Sequence, residues 1–168
     1  MPVEVRDEYQ GDIPAIRDLN KRAFEQDQEA NIIDALRSNR AVMLSMVAIS
    51  DGQVVGHIMY SPISIDGKVS GAALGPMAVL PEYQGQGVGS ELIKKGNQRL
   101  RNDGCPFIIV LGHSEYYARF GFEPASMHEI TCEWDVPDNV FMVLILDEAK
   151  MRGISGVAKY RPEFSSVE

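Results

Sequence analysis

The stretch LGPMAVLPEYQGQGVGSELIKKGNQRLR, Leu74 to Arg101, decides the reading of this 168-residue chain. It opens as a strand, passes a proline-led turn into a glycine-rich loop, and runs into a helix with Val88, Leu92, Ile93 and Leu100 on one face. The first N–H groups of a helix lack intrahelical partners and carry the positive end of its dipole, so an anion set there is both hydrogen-bonded and electrostatically favoured. Gly85, Gly87 and Gly89 clear side chains from that mouth and permit left-handed dihedrals. The chemistry expected is a cradle for a diphosphate.

Spacing separates this loop from other phosphate loops. A dinucleotide fingerprint needs a third glycine three places after the second, where this chain has Ser90. A nucleoside-triphosphate loop ends in Gly-Lys-Ser/Thr, but Gly89 is followed by Ser90 and Glu91. What remains is Gln-x-x-Gly-x-Gly, met by Gln84, Gly87 and Gly89 between a strand ending Met77-Ala78-Val79 and an amphipathic helix.

With that motif the sequence resembles the GNAT superfamily of acyl-coenzyme A-dependent N-acetyltransferases. The second run LGHSEYYARFGF, Leu111 to Phe122, resembles the family's YhbS-like branch, and the resemblance covers nearly the whole chain. It implies acetyl-CoA as co-substrate, with the diphosphate on Gln84, Gly85, Gln86, Gly87, Val88, Gly89 and Ser90. It also implies that the backbone of Met77, Ala78 and Val79 pairs with the pantetheine arm, and that an amine acceptor attacks directly. Tyr117, four residues before Gly121-Phe122, takes the place of the general acid for the leaving thiolate, and Tyr116 that of a packing neighbour. Some relatives carry a glutamate base on the bulged strand. Ala72 to Val79 contains no acid, so the base is sought elsewhere, and His113 at the end of the next strand has a suitable intrinsic pKa. A module that binds acyl-CoA without turning it over is the alternative reading.

Composition agrees with one globular domain: 45% apolar, 24% charged, and no apolar run long enough for a membrane span. The two cysteines, Cys105 and Cys132, lack metal-ligand spacing and are expected to be reduced thiols in the cytoplasm. No metal is expected. The net charge of −8 is unevenly spread: positions 1–35 hold nine acids against four bases, and positions 123–148 seven acids with no lysine or arginine. Positions 86–122 alone are basic, with Lys94, Lys95, Arg99, Arg101 and Arg119 against three acids. Such a distribution argues against nucleic acid and suits an anionic carrier with a cationic acceptor.

The remaining chain places these motifs. Asp12 and Pro14 mark a helix start, and a second helix covers 29–38. The resemblance implies that these helices and the loop between them wall off the acceptor side, which makes Phe24, Glu25, Asp27 and Glu29 candidate acceptor contacts. Two Asp-Gly turns, 51–52 and 66–67, join three antiparallel strands, and Gly75-Pro76 should break the third. His57 in the second reads as a packed strand residue. Phe107 to Leu111 reads as a buried strand parallel to the one before the loop. Ser114 is expected to cap a short helix. Strands over 130–136 and 140–146 close an N-acetyltransferase domain of residues 1–146. The tail, 147–168, is expected to pack on that body or to serve a homodimer contact. The fold class is thus α/β: a mixed, mostly antiparallel sheet splayed between its central parallel strands, with helices on both faces.

Overall fold

The computed structural model describes residues 3–167. Strands β1 (Glu4–Asp7), β2 (Leu44–Ser50), β3 (Gln53–Ile65) and β4 (Val69–Val79) form an antiparallel run. Both Asp-Gly turns adopt the left-handed pair that a two-residue hairpin requires, with φ of 50° and 75° at Asp51 and Gly52 and 50° and 66° at Asp66 and Gly67. β5 (Phe107–Leu111) lies parallel to β4, β8 (Phe141–Ile145) antiparallel to β5, and β6 (Glu123–Pro124) at the edge. The sheet is mixed, in the order β1-β2-β3-β4-β5-β8-β6.

Alternation along β3 assigns the helices to faces. Gly56, Ile58 and Tyr60 point toward α3 (Val88–Asn102), which approaches closely because two glycines permit it. A Cβ on Gly56 would stand 2.9 Å from Val88 and 3.0 Å from Leu92, and one on Gly96 would overlap the Tyr60 ring. The buried Tyr60 hydroxyl then donates to Asn97 Oδ1 at 2.8 Å, so this close packing leaves no orphaned phenol. On the opposite face Met59 packs with Ile32, Ile33 and Leu36 of α2 (Gln28–Ser38), beside α1 (Ile13–Phe24).

The break at Gly75-Pro76 shapes everything downstream. Ile58 pairs with Met77 and Tyr60 with Leu74, so one residue of β3 opposes two of β4, which is a bulge. Pairing of β4 with β5 ends at Ala73 and Ile109, although β4 runs on to Val79. Beyond the bulge, the edge of β4 that faces away from β3 has no partner strand among the described residues.

Asp12 holds the N-cap position of α1 but its side chain makes no cap bond there: it ends a 3-10 turn, and its carboxylate accepts from Tyr9 N–H at 2.6 Å and from Arg6 at 2.7 and 3.2 Å. A guanidinium is the stronger partner for a carboxylate than a helix N–H. Two local expectations are corrected. Ser114 is not the cap of α4 (Ser114–Ala118); His113 holds the N-cap position. The strand expected over 130–136 stops as β7 (Ile130–Cys132), and it pairs in parallel with β9 (Gly156–Lys159) rather than with β8. Trp134 draws the chain out of the ladder: its N–H turns back onto Cys132 Sγ at 3.4 Å and its ring stacks on Tyr160, 4.7 Å between centroids.

β9 also pairs with Ser64 and Ile65 of β3. Its entry is fixed by Asp66, whose carboxylate accepts the Val157 N–H at 2.9 Å and occupies the space a Cβ on Gly156 would need. From the end of α5 (Glu148–Met151) onward, Met151, Ile154 and Tyr160 pack on the core under β5 and β8, and Phe164 reaches the α2 cluster.

Candidate functional site

The glycine loop joins the open end of β4 to α3, and its own side chains give it its shape. Gln84 Nε2 donates to the Val79 carbonyl at 3.0 Å and Gln86 Nε2 to the Glu82 carbonyl at 3.2 Å. Arg22 of α1 clasps Glu82 at 2.9 and 3.1 Å, tying that helix to the start of the loop. Gly85 and Gly87 have φ of 77° and 85°, and the space where a Cβ would stand is open at both. Gly87 is the residue before α3, and Glu91 N–H is the one that returns to its carbonyl, at 3.1 Å. The N–H groups of Val88, Gly89 and Ser90 therefore head the helix without intrahelical acceptors.

These groups line a cleft of about 340 Å³. Of the residues predicted for the site, Met77, Val79, Gln84, Gly85, Gly87, Val88, Gly89 and Ser90 meet there. Ala78 is buried on the other face of its strand, beside His57, and Gln86 is exposed outside the lining. Tyr83, Tyr116 and Arg119 join the lining. Tyr116, read from sequence as packing, places its hydroxyl 3.3 Å from Ser90 Oγ, and Arg119 donates to the same oxygen at 3.3 Å. Residues 116 and 119 stand three apart on one helical turn and so share a face, which was the signal available in the sequence.

Tyr117 points the other way, into the core. Its ring lies over Gly112, where a Cβ would overlap it, and meets Phe122 and Tyr116 edge-on at 5.7 and 5.1 Å. Burial pushes its hydroxyl up to about 12, with Tyr116 adding in the same direction. His113 lies between the end of β5 and α4, exposed to solvent, with its carbonyl accepting from Tyr116 and Tyr117 N–H. Tyr117 and His113 thus flank the end of β5 without lining the loop cleft. Phe24, Glu25, Asp27 and Glu29 also lie outside it; Asp27 pairs with Lys21 at 3.6 Å and Glu29 accepts from Gln26 at 3.0 Å.

A larger cavity, about 420 Å³, opens at the opposite end of β5 and β8, where Ile130, Ile145, Met151 and Ile154 are joined by His128 and Arg152. It shares no residue with the loop cleft, and volume alone assigns it no chemistry. Among the described residues no group of three or more His, Cys, Asp and Glu could hold a metal ion, and no helix is long and apolar enough to cross a membrane.

His57 is fully buried, and its neighbours fix its tautomer. Arg37 and Ser45 both donate to the Glu8 carboxylate. Having spent its one hydrogen there, Ser45 Oγ can only accept from His57 Nε2, 2.8 Å away, which leaves Nδ1 a buried acceptor without a donor. For Glu8, burial alone would raise the pKa, but the bonds from Arg37 and Ser45 and the Arg37 charge outweigh it and hold the carboxyl below its usual range. Burial takes His57 down to about 3; the Glu8 charge opposes this and the Arg37 charge adds to it. The unfolded chain takes up the imidazole proton from 6.5 downward, whereas the folded chain refuses it until about 3. Stability present above that window is therefore lost as pH falls through it, by up to about 1.4 kcal/mol per unit. The urea midpoint of the wild type should fall more steeply between pH 6.5 and 5 than that of His57→Gln, which has no such proton to bind. Parallel slopes would assign the acid sensitivity to other groups.

Comparison with known proteins follows the same lines. Residues 5–122 match the model of the acetyltransferase (GNAT) family. The chain is 34% identical over 163 residues to the uncharacterized N-acetyltransferase YhbS of Escherichia coli K12, covering 96% of this chain and 98% of that one. The crystal structure of E. coli YhbS in complex with CoA matches with a TM-score of 0.91 at 33% identity, over 97% of this chain and 92% of that one. A GNAT acetyltransferase of Brucella melitensis in complex with acetyl-CoA matches with a TM-score of 0.81 at 35% identity, over 97% and 98%.

Proposed function

The chain belongs to the acetyltransferase (GNAT) family, and from that premise we propose that it moves the acetyl group of acetyl-CoA to a primary amine by direct attack. One observation carries the reading: a glycine-lined helix N-terminus opens into the same cleft as the end of β4, a strand whose edge beyond the bulge has no partner among the described residues. The residues present fit the carrier. Gly85 and Gly87 leave open the volume a side chain would fill, and the N–H groups of Val88, Gly89 and Ser90 supply donors for a diphosphate. The free edge at Met77, Ala78 and Val79 can pair with an extended amide-bearing arm as an added strand would. When bound, acetyl-CoA supplies the activated thioester.

The side chains flanking β5 then handle protons. With its hydroxyl at about 12, Tyr117 keeps its proton throughout the neutral range and remains a donor. Against an ordinary thiol near 8.5, full transfer would be uphill by roughly 5 kcal/mol, so its contribution is a hydrogen bond to sulfur as charge develops there. His113 is the candidate acceptor of the ammonium proton, since the strand beside the gap carries no carboxylate. His113→Gln should lower kcat/KM at pH 7 about 100-fold and much less at pH 9, where more of the amine is already neutral. A loss that is the same at both pH values would remove His113 from that role.

The alternative, an acyl-CoA-binding module without turnover, gains from the absence of an acid on β4. Free-thiol release across polyamines, aminoglycosides, amino acids and peptide lysines separates the two. Turnover with any amine supports transfer. Tight binding with none across the set favours the module.

A further inference from the structure

We infer that Arg119 is the side chain that grips the diphosphate of the carrier, completing the site that the loop backbone begins. The inference rests on the acetyl-CoA reading and adds to it a charged residue outside the loop motif. Among the side chains lining the cleft, that of Arg119 alone carries a charge. It follows directly on α4, 29 residues beyond Ser90, and is brought to the start of α3.

Its position is built. The guanidinium lies over the Tyr116 ring at 5.0 Å from the centroid, and its Nη2 donates to Ser90 Oγ at 3.3 Å. Ser90 is the third residue of α3, so the cation and the free helix N–H groups converge on one spot. Stacking leaves the edge of the planar fork, with its remaining N–H groups, open to a bidentate oxyanion. Gly89 keeps the approach narrow: a Cβ there would stand 3.2 Å from the Tyr116 hydroxyl.

Charge accounting points to a ligand. Arg6, Arg17, Arg22, Arg37, Arg99 and Arg161 each hold a carboxylate within ion-pair distance; Arg40, Arg101, Arg119 and Arg152 hold none among the described residues, and of these four Arg119 alone lines the cleft. The acid at the start of the loop, Glu82, is already taken by Arg22. An exposed arginine held on a ring beside uncapped N–H groups leaves a net positive cleft, which suits a phosphate anion.

Isothermal titration of the full chain with CoA and with 3′-dephospho-CoA tests the assignment. Arg119→Ala should weaken both ligands equally, by about 10-fold or more, and Arg119→Lys should recover part of the loss. Because the side chain is exposed, the melting temperatures of the free variants should match that of the wild type. Undiminished binding by Arg119→Ala overturns the proposal. A loss confined to CoA also overturns it, since Arg119 would then meet the 3′-phosphate. Failure of the wild type to bind either ligand is a different result: it removes the acetyl-CoA reading itself.

Discussion

Tyr117→Phe should lower kcat by about 100-fold while leaving the KM for acetyl-CoA within about twofold, the pattern for a donor whose bond strengthens only as the reaction proceeds. The substitution removes one oxygen and keeps the ring that packs over Gly112 and against Phe122, so the melting temperature should hardly move. That separation matters, because a buried tyrosine can be lost through packing as readily as through chemistry. A second variant approaches from the other side: Gly112→Ala leaves the hydroxyl intact but puts a methyl group where the ring lies. It should lose turnover to a similar degree, with acetyl-CoA binding retained, and it should also melt lower because the ring must be displaced. Unchanged turnover in Tyr117→Phe, measured by thiol release at saturating acetyl-CoA, would end the donor assignment.

Gly87→Asp should raise the Kd for acetyl-CoA more than 100-fold. Aspartate tolerates the left-handed conformation that Gly87 holds at φ 85° better than most residues, and it is a good residue before a helix, so α3 should still form. Its carboxylate would stand in the open volume before the free N–H groups, and a phosphate taking those donors would meet its charge at a separation on the order of 5 Å. At an effective dielectric constant of ~20, two unit charges at that separation repel by roughly 3 kcal/mol, which is more than two decades of affinity. Gly87→Asn, nearly the same shape without the charge, should cost about tenfold. Equal losses in the two variants would make the effect steric, and no loss in either would move the diphosphate away from this helix.

Both predictions concern features that sequence made legible to different degrees. The loop and its helix were readable because the physics is local: glycines that free the backbone, a helix start directly behind them, and an apolar stripe of period 3.6. The meander was readable for the same reason, since Asp-Gly turns set φ within two residues, and so was the break at Gly75-Pro76. Buried Tyr117 beside half-buried Tyr116 was not readable, because adjacent residues on one helical turn differ by about 100° and only the packed sheet decides which of them faces inward.

By itself, then, the amino-acid sequence determined the order of the main elements from α1 to α4, the place of the bulge, and a helix N-terminus bared by Gly85, Gly87 and Gly89. Tertiary structure alone decided that β4 and β5 part after two paired residues, that β7 takes β9 as its partner, and that Arg119 and Tyr116 reach Ser90. The physical reason is range. Turns, caps and amphipathic faces are set by neighbours within about a turn of chain, whereas Arg119 meets Ser90 across 29 residues and Arg22 meets Glu82 across 60. Contacts of that kind exist only once the core has packed, and no residue announces them in advance.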